Sequence, residues 1–288
     1  MNTEPRFVLS GAAAGVIGGL AATVVTLIAV EPHIQTAIDY EPLRSAAESG
    51  AHAHGGDETA GHSHGEEEVV ARTVQSTAGV FLSVGLFGLA MGLLIAVAAY
   101  ALLKLFPGVP ARVAALIAGP LAFVAGFAVP FVKYPSNPPA IADEASLVSR
   151  TLNYYAFVAI SLFAAVLAVV AVRYLMDRFG LFASIIMAGA GYLAIVLIAG
   201  VMLPSIAEMM GVESEIPAAI MDGDHIVAEG FPAAALAGFR SGSFLVSVVL
   251  FGVTTVGLAG LLGLSRRGGA RPTTPSDSMP VERTVIAV

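Results

Sequence analysis

Cysteine is absent from this chain, which excludes disulfides and thiolate metal sites. Charge is scarce too. Asp, Glu, Lys and Arg make up 12% of the residues, against about 25% in a soluble domain. Such a chain cannot cover itself with polar groups, so water is the wrong solvent for most of it. No P-loop, GxSxG or HExxH pattern is present, so ATP-driven pumping finds no nucleotide site on this chain and enzyme chemistry finds no familiar constellation. Basic residues form no patch interleaved with aromatics, which leaves nucleic-acid binding without support.

What is present is long apolar sequence. Of 288 residues, 57% are hydrophobic. Six runs stand out, near 7–30, 78–103, 113–132, 152–172, 181–203 and 240–264. Each approaches or exceeds the ~20 residues that a helix needs to cross the hydrocarbon layer, and none carries a charge in its central part. In lipid the backbone must bond to itself, so runs of this length are helices. The expected fold is all-α: a polytopic membrane protein with about six transmembrane helices. The first run is longer than a usual signal-peptide core, and no A-x-A-like cleavage site follows it. It reads as a retained helix.

Six crossings return the chain to its starting side. The Lys/Arg excess of cytoplasmic loops puts both termini in the cytoplasm. Nine basic residues then lie inside (Arg6, Lys104, Arg112, Arg173, Arg178, Arg266, Arg267, Arg271, Arg283) and five outside (Arg44, Arg72, Lys133, Arg150, Arg240). Acidic residues sort the other way: 17 of 21 fall in three outer segments, near 31–77, 133–151 and 204–239. All six histidines join them. Carboxylates on that side raise the local cation concentration. The histidine-rich segment is therefore expected to face out.

The spans group as three hairpins open to the outside: first with second, third with fourth, fifth with sixth. Pro32, Pro130 and Pro204 mark the outer ends of the odd spans, where proline ends or kinks a helix. Gly11, Gly15 and Gly19 in the first span, and Gly88 and Gly92 in the second, make small-residue faces. These suit close helix packing or a partner interface, and equally match ordinary membrane composition. Residues 1–264 read as one membrane domain. The polar Gly/Pro/Ser-rich stretch 265–288 reads as a disordered cytoplasmic tail.

The ligand-bearing residues are concentrated. His52 and His54 form one H-x-H pair in HAHGGDETAGHSH, and His62 and His64 form a second. Neutral imidazole binds Zn, Cu, Ni, Co and Fe. Gly55, Gly56 and Gly61 let the segment fold both pairs around one ion, and Glu66 and Glu67, followed by Glu68, can complete an O/N shell. The competing reading is a solvated polar loop. Two H-x-H pairs in a chain with two other histidines favour metal. Glu31 and His33 cap the outer end of the first span, as ligands or as interfacial anchors. Asp222, Asp224 and His225 in MDGDHIVAEG form a compact O/N cluster, explained nearly as well by a polar turn. In KYPSNPPAIADE, Asn137, Asp143 and Glu144 can serve as ligands, but loop shape is the favoured reading, and Tyr154 and Tyr155 read as interfacial belt residues.

The order of motifs resembles a known family. Helix one runs into VEPHIQTAIDYEP, then the histidine-rich loop, then ARTVQSTAGVFLSVGLFGLAMG. GPLAFVAGFAVPFVKYPSNPP, VSRTLNYYAFVAISL, VMLPSIAEMMG and EGFPAAALAGFRSGSFLVSVVLFG follow. Together they resemble the CbtA family of predicted cobalt transporter subunits, over roughly residues 7–264. The resemblance implies a bacterial inner-membrane protein linked to cobalt supply for cobalamin synthesis, with Co²⁺ as the ion carried or bound and Ni²⁺ or Zn²⁺ as alternatives; no enzymatic activity is expected, because no catalytic constellation is found. It implies a partner as well: a small CbtB-like subunit with one transmembrane helix and a histidine-bearing end. The alternative is a membrane-tethered metal-binding accessory that hands the ion to another permease.

Overall fold

The computed structural model describes residues 3–52, 78–139, 141, 146–212 and 214–267. Its elements in chain order are α1 (Thr3–Ala29), α2 (Glu31–His52), α3 (Val80–Leu105), α4 (Ala111–Lys133), α5 (Leu147–Phe179), α6 (Leu181–Met202), α7 (Ile206–Met210), β1 (Ile220–Asp222), β2 (His225–Ala228) and α8 (Ala233–Arg267). Six helices are long and apolar enough to cross a membrane. Among the described residues the fold is all-α but for one two-stranded antiparallel hairpin. It is a multi-pass membrane architecture.

Hydropathy marks only the lipid-immersed part of each helix. α5 has 33 residues and α8 has 35. At 1.5 Å per residue both are about 50 Å long, well beyond a hydrocarbon layer of about 30 Å. α2 was expected to be loop. It is a 22-residue helix instead, separated from α1 by Val30 alone. Pro32 sits in its first turn, where a missing N–H costs nothing. Pro130 does not end its span either. α4 continues to Lys133 after a π-helical stretch, Val124–Ala128, in which the Val129 N–H bonds to the Val124 carbonyl five residues back.

Of the hairpins read from the sequence, the first is observed, α1 against α3, but the other two are not the main packing. α1 lies between α3 and α8, and α4 closes a four-helix core against α3 and α8. α6 packs on α5 rather than on α8, and α5 meets the core chiefly at the π-helical stretch of α4. Gly180, at φ 77°, makes a one-residue reversal between α5 and α6 that a side chain would strain.

Small residues set the core. A Cβ on Gly15 would overlap the carbonyl oxygen of Gly88, and one on Gly92 would overlap the backbone of Gly11 and Gly15. The two helices meet backbone to backbone. Around them Ala14, Ala22, Ile95, Ala96, Ala99, Ala114, Ala118, Leu258 and Leu262 are buried. The glycine faces thus serve packing inside the chain.

A second, smaller cluster lies beyond the bundle. Ala37 of α2, Ile141, and Phe231, Ala235 and Leu236 at the start of α8 bury one another, with Tyr40 and Ile216 against them. This cap fixes where α2 and the hairpin stand.

Candidate metal-capture face

α2 stands on the cap through specific contacts. Tyr40 packs edge-on against Phe231 at 5.2 Å between centroids, and its hydroxyl donates to the Glu229 carbonyl at 3.2 Å. Arg44 donates to the Ala218 carbonyl at 2.8 Å. The helix therefore runs beside the β-hairpin and carries the chain to His52, its last residue. His54, His62, His64, Glu66 and Glu67 lie outside the described residues.

Glu31 and His33 sit in the first turn of α2. Residues two apart on a helix are separated by about 200° around its axis, so their side chains do not point at one ion. The half-buried His33 ring lies directly on Gly238 of α8, where any added side chain would collide with it. Farther along, the Gln35 amide donates to Asp39 at 2.9 Å.

MDGDHIVAEG forms the hairpin rather than an irregular turn. Asp222 pairs with His225 across the two-residue turn Gly223-Asp224, with glycine at the first central position in the positive-φ conformation (φ 59°) that tight hairpin turns need there. Asp222, Asp224 and His225 are all exposed. Across the described residues as a whole, no three His, Asp or Glu side chains come together in a group able to hold a metal ion.

A polar network that the sequence did not single out lies below the cap. Arg240, in the third turn of α8, donates to Asn137 Oδ1 at 2.7 Å and to Glu215 in a short ion pair. Asn137 donates to the other Glu215 oxygen at 3.3 Å. The one sequence signal for it was a lone charge ahead of the last apolar run. Nearby, the Tyr134 hydroxyl donates to the Pro204 carbonyl at 2.8 Å. Burial raises the Tyr134 pKa above the ordinary phenol value, and the negative charge of Glu208 raises it further. Glu208 itself closes a capping box with Ser205 at the start of α7.

One end of the bundle thus carries α2, the hairpin and the Arg240–Glu215–Asn137 network. The other end carries Arg6, whose guanidinium donates to the Leu262 carbonyl, and Glu4, which accepts from Tyr100 at 3.0 Å. The family model described as probable cobalt transporter subunit (CbtA) matches residues 4–263. The chain belongs to this family. The match takes in all six spans almost entirely, the cap and the histidine-bearing segment, so the family is shown by nearly the whole architecture. A subunit implies a partner. No curated protein and no solved structure is significantly similar to the chain.

Proposed function

We propose that this protein is the membrane-embedded subunit of a cobalt uptake system of the bacterial inner membrane, supplying Co²⁺ for cobalamin synthesis. The observation that carries this reading is one-sidedness within a cobalt-transporter family: all six histidines and 17 of the 21 acidic residues belong to segments on the cap side of the spans. In this reading the cap side faces out. His52, His54, His62 and His64 collect the ion, with Glu66 and Glu67 supplying oxygen ligands. Asp222, Asp224 and His225 offer a second, weaker contact on the hairpin beside α2. Glu31 and His33 act as separate contacts at the mouth, because the helix points them apart. Imidazole and carboxylate ligands bind copper more tightly than cobalt, so selectivity for Co²⁺ over Ni²⁺ or Zn²⁺ comes from geometry and supply. A small CbtB-like subunit with a single transmembrane helix and a histidine-bearing end is the proposed partner.

A specific observation favours a second reading, a metal-binding accessory that delivers the ion to another permease. Intramembrane ionisable groups usually mark an ion path, and the described spans carry theirs only near the ends. Radiolabelled Co²⁺ uptake into proteoliposomes decides. Saturable uptake by this chain, alone or with its partner helix, and its loss when the four loop histidines become alanine, support the transporter. Metal binding without uptake in either preparation replaces it with the accessory.

A further inference from the structure

A cavity of about 430 Å³ opens beside the network just described, between the end of α4, the start of α5 and α7. Five rings form its walls: Phe127, Phe131, Tyr134, Tyr154 and Tyr155. They are held against one another, with Phe127 and Phe131 at 5.2 Å and Tyr154 and Tyr155 at 5.6 Å between centroids. The polar part of the lining is Arg150, Thr151, Ser136 and Asn137. The Ser136 hydroxyl oxygen is buried with no hydrogen-bond partner among the described residues. A buried hydroxyl without a partner is uncommon, and here it lines a space large enough for a ligand.

The chemistry of the lining selects the ligand. Among the described residues the lining has no carboxylate and no imidazole, and its one formal charge is the Arg150 cation, which suits an anion and repels a bare divalent cation. Arg150 has an interaction of its own in the protein, and a guanidinium carries five N–H donors. Lys133 stands just outside, 5.5 Å over the Tyr134 ring. Glu215 is occupied by Arg240, and Glu208 by its capping box. Flat rings stack in offset or edge-on geometry, and arginine pairs with carboxylates through two parallel hydrogen bonds. The volume falls within the range of small-molecule sites. We infer that this cavity binds a small organic anion with a flat apolar body, its anionic group at Arg150, Thr151 and Ser136 and its body between the rings. The inference stands apart from cobalt capture, which uses other residues.

The test uses the full chain in nanodiscs of neutral phosphatidylcholine, without metal, and 2-naphthoate as probe. Ligand-observed NMR should show saturation transfer to the naphthyl protons. Affinity should fall at least tenfold in Arg150→Gln and in Tyr154→Leu, and stay unchanged in Tyr174→Leu, an exposed ring farther along α5. Arg150→Lys, which keeps the charge, should recover part of the loss and guards against a Gln variant that fails to fold. A second set of discs contains phosphatidylglycerol. If that lipid displaces naphthoate in the native chain, the same anion site is filled from the bilayer. The inference is overturned if naphthoate does not bind in neutral discs. It is equally overturned if the folded variants bind naphthoate as well as the native chain does.

Discussion

The four-helix core and the α5–α6 hairpin are equally apolar, yet they are held in different ways. In α1 and α8, 33% and 39% of the most apolar window is buried, whereas in α5 and α6 the share is 17% each. Lipid tails are as apolar as leucine, so greasy surface alone gives helices no reason to associate; close approach does. The core has it, with Gly15 on Gly88 and Gly92, Gly18 on Thr254, and Gly119 on Thr255. Gly189 and Gly191 of α6 face open space. Besides the contact at the π-helical stretch and the Tyr134 ring edge-on to Phe157, polar bonds at the cap end fasten the hairpin to the core: Tyr134 on Pro204, and Arg240 on Asn137 and Glu215 beside it.

That contrast can be broken from the core side first. Gly92→Leu should cost at least about 3 kcal/mol, because a side chain there meets backbone that cannot move aside. The expected outcome is a large drop in the thermal unfolding midpoint in detergent, or no folded protein at all. The polar fastening comes next. Arg240→Met leaves Glu215 and Asn137 without their cation in a site about three-quarters shielded. Discounted for partial exposure, the expected loss is about 1–2 kcal/mol. The double variant with Glu215→Gln should lose less than the two single losses added together.

Tyr134→Phe removes one hydrogen bond and should cost about 1 kcal/mol. It also tests a pH dependence. The phenol's pKa is raised on folding, so its contribution is complete below the ordinary tyrosine value of about 10 and is lost as pH rises through the folded value. The native chain should therefore lose part of its advantage over Tyr134→Phe in strong base, followed by unfolding midpoints across that range. Inside the hairpin, Ser161 and Tyr192 share a hydrogen bond of 2.9 Å. Their double-mutant cycle should give a coupling of about 0.6 kcal/mol, the usual size within a membrane. Smallest of all, Gly191→Leu should change stability by less than about 0.5 kcal/mol. A large effect there would mean that α6 is covered by another helix.

Much of this fold was legible in advance for a simple reason. A span of about twenty apolar residues has one low-energy structure in lipid, so all six helices were readable. Their ends were not. The run near 152–172 belongs to a helix from Leu147 to Phe179, because helical hydrogen bonding continues into water where hydropathy falls silent. α2 was missed for the same reason. Its polar residues and its prolines at 32 and 42 read as loop, yet Ala37 and Tyr40 bind one side of it to Phe231 and Leu236.

The ligand residues divide similarly. Composition alone singled out the histidine pairs; His52 ends α2, and His54, His62 and His64 lie outside the described residues. Periodicity separates Glu31 from His33 only once α2 is known to be helical. Asp222 and His225 become neighbours only through the hairpin. Glu215, Arg240 and the ring-lined cavity come from segments far apart in the chain, and no local pattern announces them.

The sequence by itself determined the solvent, the number of spans, the crowding of histidines and carboxylates onto one set of connecting segments, and the family. Those depend on what each stretch contains. Tertiary structure alone decided which helices touch, which face of α2 is buried, and where an aromatic cavity forms beside a guanidinium. Those depend on how closely backbones can approach, and that distance is set by pairs of residues that only the fold brings together.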